Sequence, residues 1–337
     1  MPTVKRTPHT RPKVARRSVL CASIAIVALA GCTETFDAGS QLPVDGRNPI
    51  ILCNDSASEN WQGEYAALLA SSGALTLAGI VVGTSPNANN VDDNLASWKA
   101  LVAAAHEGGL RNVPDPIPSI GAKLKQPANG NIDDTTKNGS DGATFIVDAS
   151  NRLALPSRPL VVVTGGRLTD VADAYLIDHK VVDRVVVVSS LGSLSSPGAA
   201  MGNPNGEMDP WADTIVTSRF RYVQISAFYD QSSDVPSSKI AELPANAFGA
   251  WIAAKQPDIW TLPQAADQVG VAAVAIPGFV LKVERVAPSW PIDAGTTVGP
   301  ALVDRPGAQG WLVRKVAGSV ATARFWQLLS DSATFSP

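Results

Sequence analysis

Short apolar, β-branched runs constrain this chain more than any other feature. They lie at residues 50–53, 75–82, 160–163, 185–189 and 222–225. A strand wetted on one face alternates apolar with polar residues, whereas a strand covered on both faces reads as a continuous apolar run. Between these runs, residues 63–71, 94–105, 143–154 and 168–177 carry apolar residues at helical spacing. Alternation of this kind predicts an open, mostly parallel α/β sheet flanked by helices rather than a sandwich.

In such sheets a ligand sits outside the C-terminal ends of the strands. That rule singles out Cys53-Asn54-Asp55, Gly83-Thr84 with the polar loop at 85–93 that holds Asn87, and Thr164-Gly165-Gly166. Asp55, Glu59 and Glu64 follow the first strand within ten residues. Carboxylates gathered where a strand meets a helix can hold a cation or activate water. They also serve as helix caps, so Asp55 alone reads either way. Asp267 alone reads as a helix-start acid favoured by the macrodipole. Asn87 lies in a loop rich in turn-forming asparagines, and Trp61 is placed either to stack on a ligand or to pack beneath the loop.

The N-terminus carries six Lys/Arg and no acid in its first 17 residues, followed by 12 apolar or small residues at 19–30. That is a secretory signal pattern, too short to span ~30 Å of hydrocarbon as a helix. Leu29-Ala30-Gly31-Cys32 resembles a bacterial lipobox. The resemblance implies cleavage before Cys32, acylation of that cysteine, and a place in the bacterial cell envelope, exported and lipid-anchored. Residues 1–31 are thus expected to form the signal peptide and 32–47 a flexible tether. Residues 48–332 are expected to form one domain, long enough to bury a large core.

Losing six of the 27 basic residues with the leader leaves 21 against 30 acidic ones, a net charge of −9. No basic stripe is available for nucleic-acid phosphate. With Cys21 in the leader and Cys32 lipidated, Cys53 stands alone, which excludes a disulfide framework. The three histidines, His9, His106 and His179, fall in the leader and at helix ends, which argues against a His-based triad or a zinc site.

Five segments, in order, carry a family resemblance: CNDSASENWQGEYAALLA (53–70), VVVTGGRLTDVADAYLIDHKVVDRVVVVSSLG (161–192), GNPNGEMDPWADTIV (202–216), QAADQVGVAAVAIPGFV (264–280) and the tail from TTVGPALVDRPGAQGWLVRKVAG to ATARFWQLL (296–329). Together they resemble the calcium-dependent nucleoside hydrolases, the inosine/uridine-preferring N-ribohydrolases, in a divergent bacterial lipoprotein branch. The resemblance implies a nucleoside-hydrolase-like sheet and hydrolysis of the N-glycosidic bonds of nucleosides or related ribosides. The alternative is a lipoprotein that binds a nucleoside or sugar without cleaving it. The ligand class is a small nucleoside or riboside, and the oligomeric state is open.

Residue by residue, the resemblance gives Asp55 the role of calcium ligand and water-activating base. The family opens with D-x-D-P-G-x-D-D, and here the first Asp is Cys53; the closing pair falls near residues 61–63 when the helix runs are superposed, or on Glu59 and Asn60 when counted without a gap. Glu59 then keeps a catalytic carboxylate near the ribose, and Asn60 offers calcium an uncharged oxygen. Glu64, one turn into the helix, is a longer-reaching substitute on the substrate side. The Thr164 main-chain carbonyl and Asp267 complete the implied metal ligands, while Asn205, Glu207 and Asn87 are the implied substrate contacts. Calcium prefers six to eight oxygens and is tuned by ligand charge. A site short of one carboxylate is expected to bind it weakly.

Overall fold

The consecutive-valine runs do form strands buried on both faces: every residue of β4 (Leu160–Thr164) and β5 (Val185–Ser189) is buried. The computed structural model describes residues 42–119, 122–190, 206, 208–259, 265, 267–289, 301–304 and 310–335. The other strands are β1 (Pro49–Asn54), β2 (Thr76–Val82), β3 (Pro116–Pro118), β6 (Arg221–Ile225), β7 (Val280–Ser289), β8 (Ala301–Asp304) and β9 (Gly310–Val316). They form one sheet in the order β3-β2-β1-β4-β5-β6-β9-β7-β8. The pairings from β3 to β9 along this order are all parallel, and β7 turns antiparallel to both β9 and β8.

Successive side chains of a strand point to opposite faces, so the continuous runs feed two separate cores. Ile50, Leu52, Val161, Val163, Val186 and Val188 enter one layer. Ile51, Cys53, Val162, Val185 and Val187 enter the other. The first layer is roofed by α1 (Gln62–Ser71), α2 (Val91–Glu107), α7 (Ala247–Ile259), α8 (Gln268–Ala275) and α9 (Gly318–Ser330). The second is roofed by α3 (Asp141–Leu153), α4 (Thr169–Ile177), α5 (Val181–Arg184) and α6 (Pro210–Arg219).

Two departures from the sequence reading have local causes. Helix α2 begins at Val91 rather than near residue 94, because the Asn90 side chain caps it by accepting from the Asp92 and Asp93 N–H groups. Strand β3 is a Pro-Ile-Pro segment with no apolar run to announce it. It lies at the sheet edge, where a missing N–H is tolerated.

From β1 the chain moves outward through β2 to β3, then returns to place β4 on the other side of β1. This reversal of winding opens a crevice beyond the C-terminal ends of β1 and β4, the usual ligand position in open α/β sheets. In register, Cys53 lies beside Thr164, so Asp55 and Gly165-Gly166 leave adjacent strand ends.

Candidate functional site

Asp55 follows β1 but caps no helix. Helix α1 begins at Gln62, with Trp61 at its N-cap and no side-chain cap bond. The Asp55 carboxylate is instead buried at the strand end, 2% exposed, with Oδ1 lacking a hydrogen-bond partner among the described residues. Its main chain is fixed from two sides. Trp98 Nε1 on α2 donates to the Asp55 carbonyl at 2.8 Å, and the Asp55 N–H donates to Asn54 Oδ1 at 2.8 Å. Ser85, at the start of the loop after β2, hydrogen-bonds the carboxylate.

Asp267 occupies the N-cap position of α8 yet makes no cap bond. Its Oδ2 accepts from Asn60 Nδ2 at 2.6 Å and from Asn54 Nδ2 at 3.1 Å, while Oδ1 is buried without a partner. Gln62 Nε2 donates to the Asp267 carbonyl at 3.2 Å, and Asn54 Nδ2 also donates to Gln62 Oε1. The acids at 55 and 267 therefore face a shared region from β1 and α8, although both positions would suit ordinary helix-start residues.

Burial first, then the neighbouring charges of Asp267 and Glu59, push the Asp55 carboxyl well above the usual carboxylate range. Burial is also the main cause that pushes Asp267 up to about 7; Glu59 adds to it, and the amides of Asn54 and Asn60 oppose it. Glu59 is half-buried and its own carboxyl is raised by burial. Glu59 thus raises both buried carboxyls and Asp267 raises Asp55 further, an arrangement suited to holding and passing a proton.

The glycines after β4 make this approach possible. A Cβ at Gly165 would stand 2.6 Å from both Asp267 Oδ1 and Asn54 Oδ1. A Cβ at Gly166 would stand 3.0 Å from the Thr84 carbonyl and 3.5 Å from the Asp55 nitrogen. The Thr-Gly-Gly turn is thus where the chain must lack side chains to admit Asp267.

The loop from Asp55 to Trp61 is held beneath by a buried lysine. Lys255 on α7 donates through Nζ to the Ala57 carbonyl at 2.5 Å, to the Asn60 carbonyl, and to Glu64 Oε1 at 2.7 Å. Its ammonium also lies 4.9 Å from the centre of the Trp61 ring. Trp251 Nε1 donates to the same Glu64 oxygen at 2.6 Å.

The structure brings Asp55, Asp267, Glu59 and Asn60 together and separates other residues expected at the site. Glu64 is fully buried and paired with Lys255, so it anchors the loop rather than reaching substrate. Trp61 is fully buried with its ring 6.3 Å from that of Phe325, which makes it core rather than a stacking platform. Asn87 is exposed; the loop residue that meets Asp55 is Ser85. The Thr164 carbonyl lies next to the site and accepts the Ser190 N–H at 2.8 Å, a bond across the ends of β4 and β5. Cys53 packs into the second apolar layer, away from the acids. Asn205, Glu207 and Cys32 lie outside the described residues.

Gln62 and Lys255 were not foreseen, while Asn54 and Ser85 lay in the strand-end stretches singled out above but were given no role of their own. Asn54 had a signal, a polar residue at the end of an apolar strand. Lys255 had none, since a lysine in a helix ordinarily faces water.

The donors do not fit the calcium ion that the sequence led us to expect. Among the described residues no three His, Cys, Asp or Glu side chains converge as a metal site. The Asn60 oxygen accepts the Gln62 N–H at 2.9 Å, and its nitrogen faces Asp267. Only Asp55 Oδ1 and Asp267 Oδ1 are left as buried, unpartnered carboxylate oxygens of the pair, a low anionic charge for calcium, whose affinity is tuned by ligand charge.

No protein-family model matches the chain, and neither does any curated protein. Its fold, however, is shared with solved nucleoside hydrolases. An inosine-guanosine nucleoside hydrolase superposes with a TM-score of 0.61 at 13% identity, covering 83% of this chain and 98% of that one. The purine-preferring ribonucleoside hydrolase from Gardnerella vaginalis gives 0.58 at 17% identity, covering 85% and 98%. The type III effector protein XopQ, solved in complex with adenosine diphosphate ribose, gives 0.52 at 13% identity, covering 87% and 96%. The open, mostly parallel sheet expected from the valine runs is therefore a nucleoside-hydrolase-like fold.

Proposed function

We propose that this protein binds nucleosides or related ribosides beyond β1 and β4 and hydrolyses their N-glycosidic bond. The observation that carries the reading is the convergence of Asp55 and Asp267, each buried with an unpartnered oxygen, at the winding reversal of a sheet shared with nucleoside hydrolases. Breaking a glycosidic bond builds positive charge on the sugar, which nearby carboxylates stabilise. Asp55, its main chain held by Trp98 and Asn54, takes the proton of the attacking water. The water oxygen bonds to the anomeric carbon while the bonding pair leaves with the base nitrogen. Asp267 holds the charge balance of the pair, and Glu59 lies on its more open side. No step is assigned to calcium, because the donors do not fit it.

The chain is proposed to act at the cell envelope, anchored through an acyl group on Cys32, as the leader pattern supports. A second reading, binding without cleavage, is favoured by Asn60 and Cys53 standing where the resembled family has carboxylates. The fold it shares with XopQ, whose complex contains adenosine diphosphate ribose, is compatible with it.

The test is incubation of the protein with a nucleoside panel, measuring free base and ribose. Hydrolysis predicts release that falls at least about 100-fold in Asp55→Asn, the scale of a lost general base. Binding without release, seen as saturable calorimetric heat with intact nucleoside recovered, would establish the second reading instead.

A further inference from the structure

We propose that this site is built to be organised without a divalent cation, with two side-chain amides and one internal ammonium holding what a bound ion would hold. The inference deepens the riboside reading but is drawn from the geometry of this chain alone.

The amide orientations carry it. Asn60 Oδ1 accepts the Gln62 N–H at 2.9 Å while Nδ2 donates to Asp267 Oδ2 at 2.6 Å. Turning the amide over would set oxygen against the carboxylate and NH2 against a backbone N–H, replacing two hydrogen bonds with two repulsions. Asn54 is fixed in the same way: Oδ1 accepts the Asp55 N–H at 2.8 Å, and Nδ2 donates to Asp267 Oδ2 at 3.1 Å and to Gln62 Oε1. Both amides therefore present donors to Asp267. Donors satisfy a carboxylate; they do not ligate a cation.

The second observation concerns the loop itself. A metal at a strand end commonly orders the loop that supplies its ligands. Here Lys255 Nζ gathers the carbonyls of Ala57 and Asn60 together with Glu64 Oε1, all fully or almost fully buried. A covalently attached cation thus already orders the segment carrying Asp55 and Asn60. An amide rather than a carboxylate facing Asp267 from residue 60, and an internal ammonium below it, are two parts of one arrangement.

The test is a calorimetric calcium titration of the full chain, with thermal unfolding in calcium and in chelator. The wild-type protein is expected to give no binding heat up to about 1 mM calcium, the weak end of calcium modules. Its melting temperature should be the same in calcium and chelator. Asn60→Asp should gain saturable binding below that concentration and a calcium-dependent rise in melting temperature. Saturable wild-type binding that Asp55→Asn abolishes would overturn the proposal. So would an Asn60→Asp protein that melts like wild type yet stays silent to calcium, because the amide would then not be what excludes the ion. Should Asn60→Asp fail to fold, the wild-type titration decides alone. No nucleoside enters either measurement, so this result and the riboside reading stand or fall separately.

Discussion

Two groups of buried acids in this molecule behave in opposite ways. Around α3, α4 and α6, the carboxylates of Asp173, Asp170 and Asp209 are closed off by donors. Asp173 accepts the Asn138 and Ser140 N–H groups at 2.8 and 3.1 Å. Asp170 accepts the Ser140 hydroxyl at 2.7 Å. Asp209 caps α6 through the Ala212 N–H and also accepts the Leu124 N–H and the Thr169 hydroxyl. Asp234 likewise sits among the hydroxyls of Thr322, Tyr229 and Tyr65. At the ends of β1 and β4, by contrast, Asp55 and Asp267 each keep a bare buried oxygen. Satisfied acids tie distant segments together; bare ones retain free energy for a ligand or a proton. Burial is common to both groups; a bare oxygen alone does not mark a site either, since Glu64 Oε2 is bare while Oε1 is held by Lys255 and Trp251.

The comparison can be broken or sharpened by substitution. The largest effect is expected at the ammonium beneath the site. Lys255→Met leaves Glu64 buried without its ion-pair partner and should cost about 3–5 kcal/mol in urea unfolding. A loss under about 1 kcal/mol would mean that Lys255 does not hold the loop. Next, Asp209→Ala removes a helix cap and two further bonds and should cost about 2–4 kcal/mol. Because Asp209 belongs to the satisfied group, the remaining folded protein should bind riboside as before.

Gly165→Ala is expected to act in the reverse sense. The new Cβ displaces the Asp267 carboxylate, so base release should fall up to about 100-fold, with a smaller stability loss of about 1–3 kcal/mol. Wild-type turnover in that variant would show that Asp267 need not stand where it does.

The smallest effect is a pH dependence. Burial, opposed by its hydroxyl and amide donors, pushes Asp234 up to about 6. A raised folded-state pKa means the native protein binds the proton more tightly. Stability from this group is therefore full below the unfolded value near 3.8 and is lost as pH rises through about 6. Asp234→Asn should flatten the fall in stability between pH 4 and 7 by about 2 kcal/mol. An unchanged pH profile by differential scanning calorimetry would show that the hydroxyls around Asp234 fully offset its burial.

Much of the sheet was legible in the sequence because the signal is local. A run such as Val185–Ser189 has nowhere to go but a doubly covered strand, and its observed bounds match the run. Asp55 was legible as a residue, since an acid at the end of an apolar strand is conspicuous. Its role was not, because capping and chemistry ask for the same residue at the same place. The geometry separates them: α1 starts seven residues later, and the carboxylate keeps a bare oxygen. Glu64 shows the reverse. Its spacing after Asp55 suits a site, and only the arrival of Lys255 from α7, 191 residues further on, assigns it to an internal ion pair.

The sequence by itself determined the alternation of buried strands and helices, and through it the strand ends at which a ligand would sit. Hydrophobic periodicity is written in neighbouring residues and survives any rearrangement of distant ones. Only the tertiary structure decided which polar groups at those ends meet. Asp267 reaches Asn54 and Asn60 across more than 200 residues of chain, and the direction of an amide is set by the backbone N–H that it happens to face. Donor or acceptor toward Asp267 is a choice the residue name leaves open and the packed fold makes.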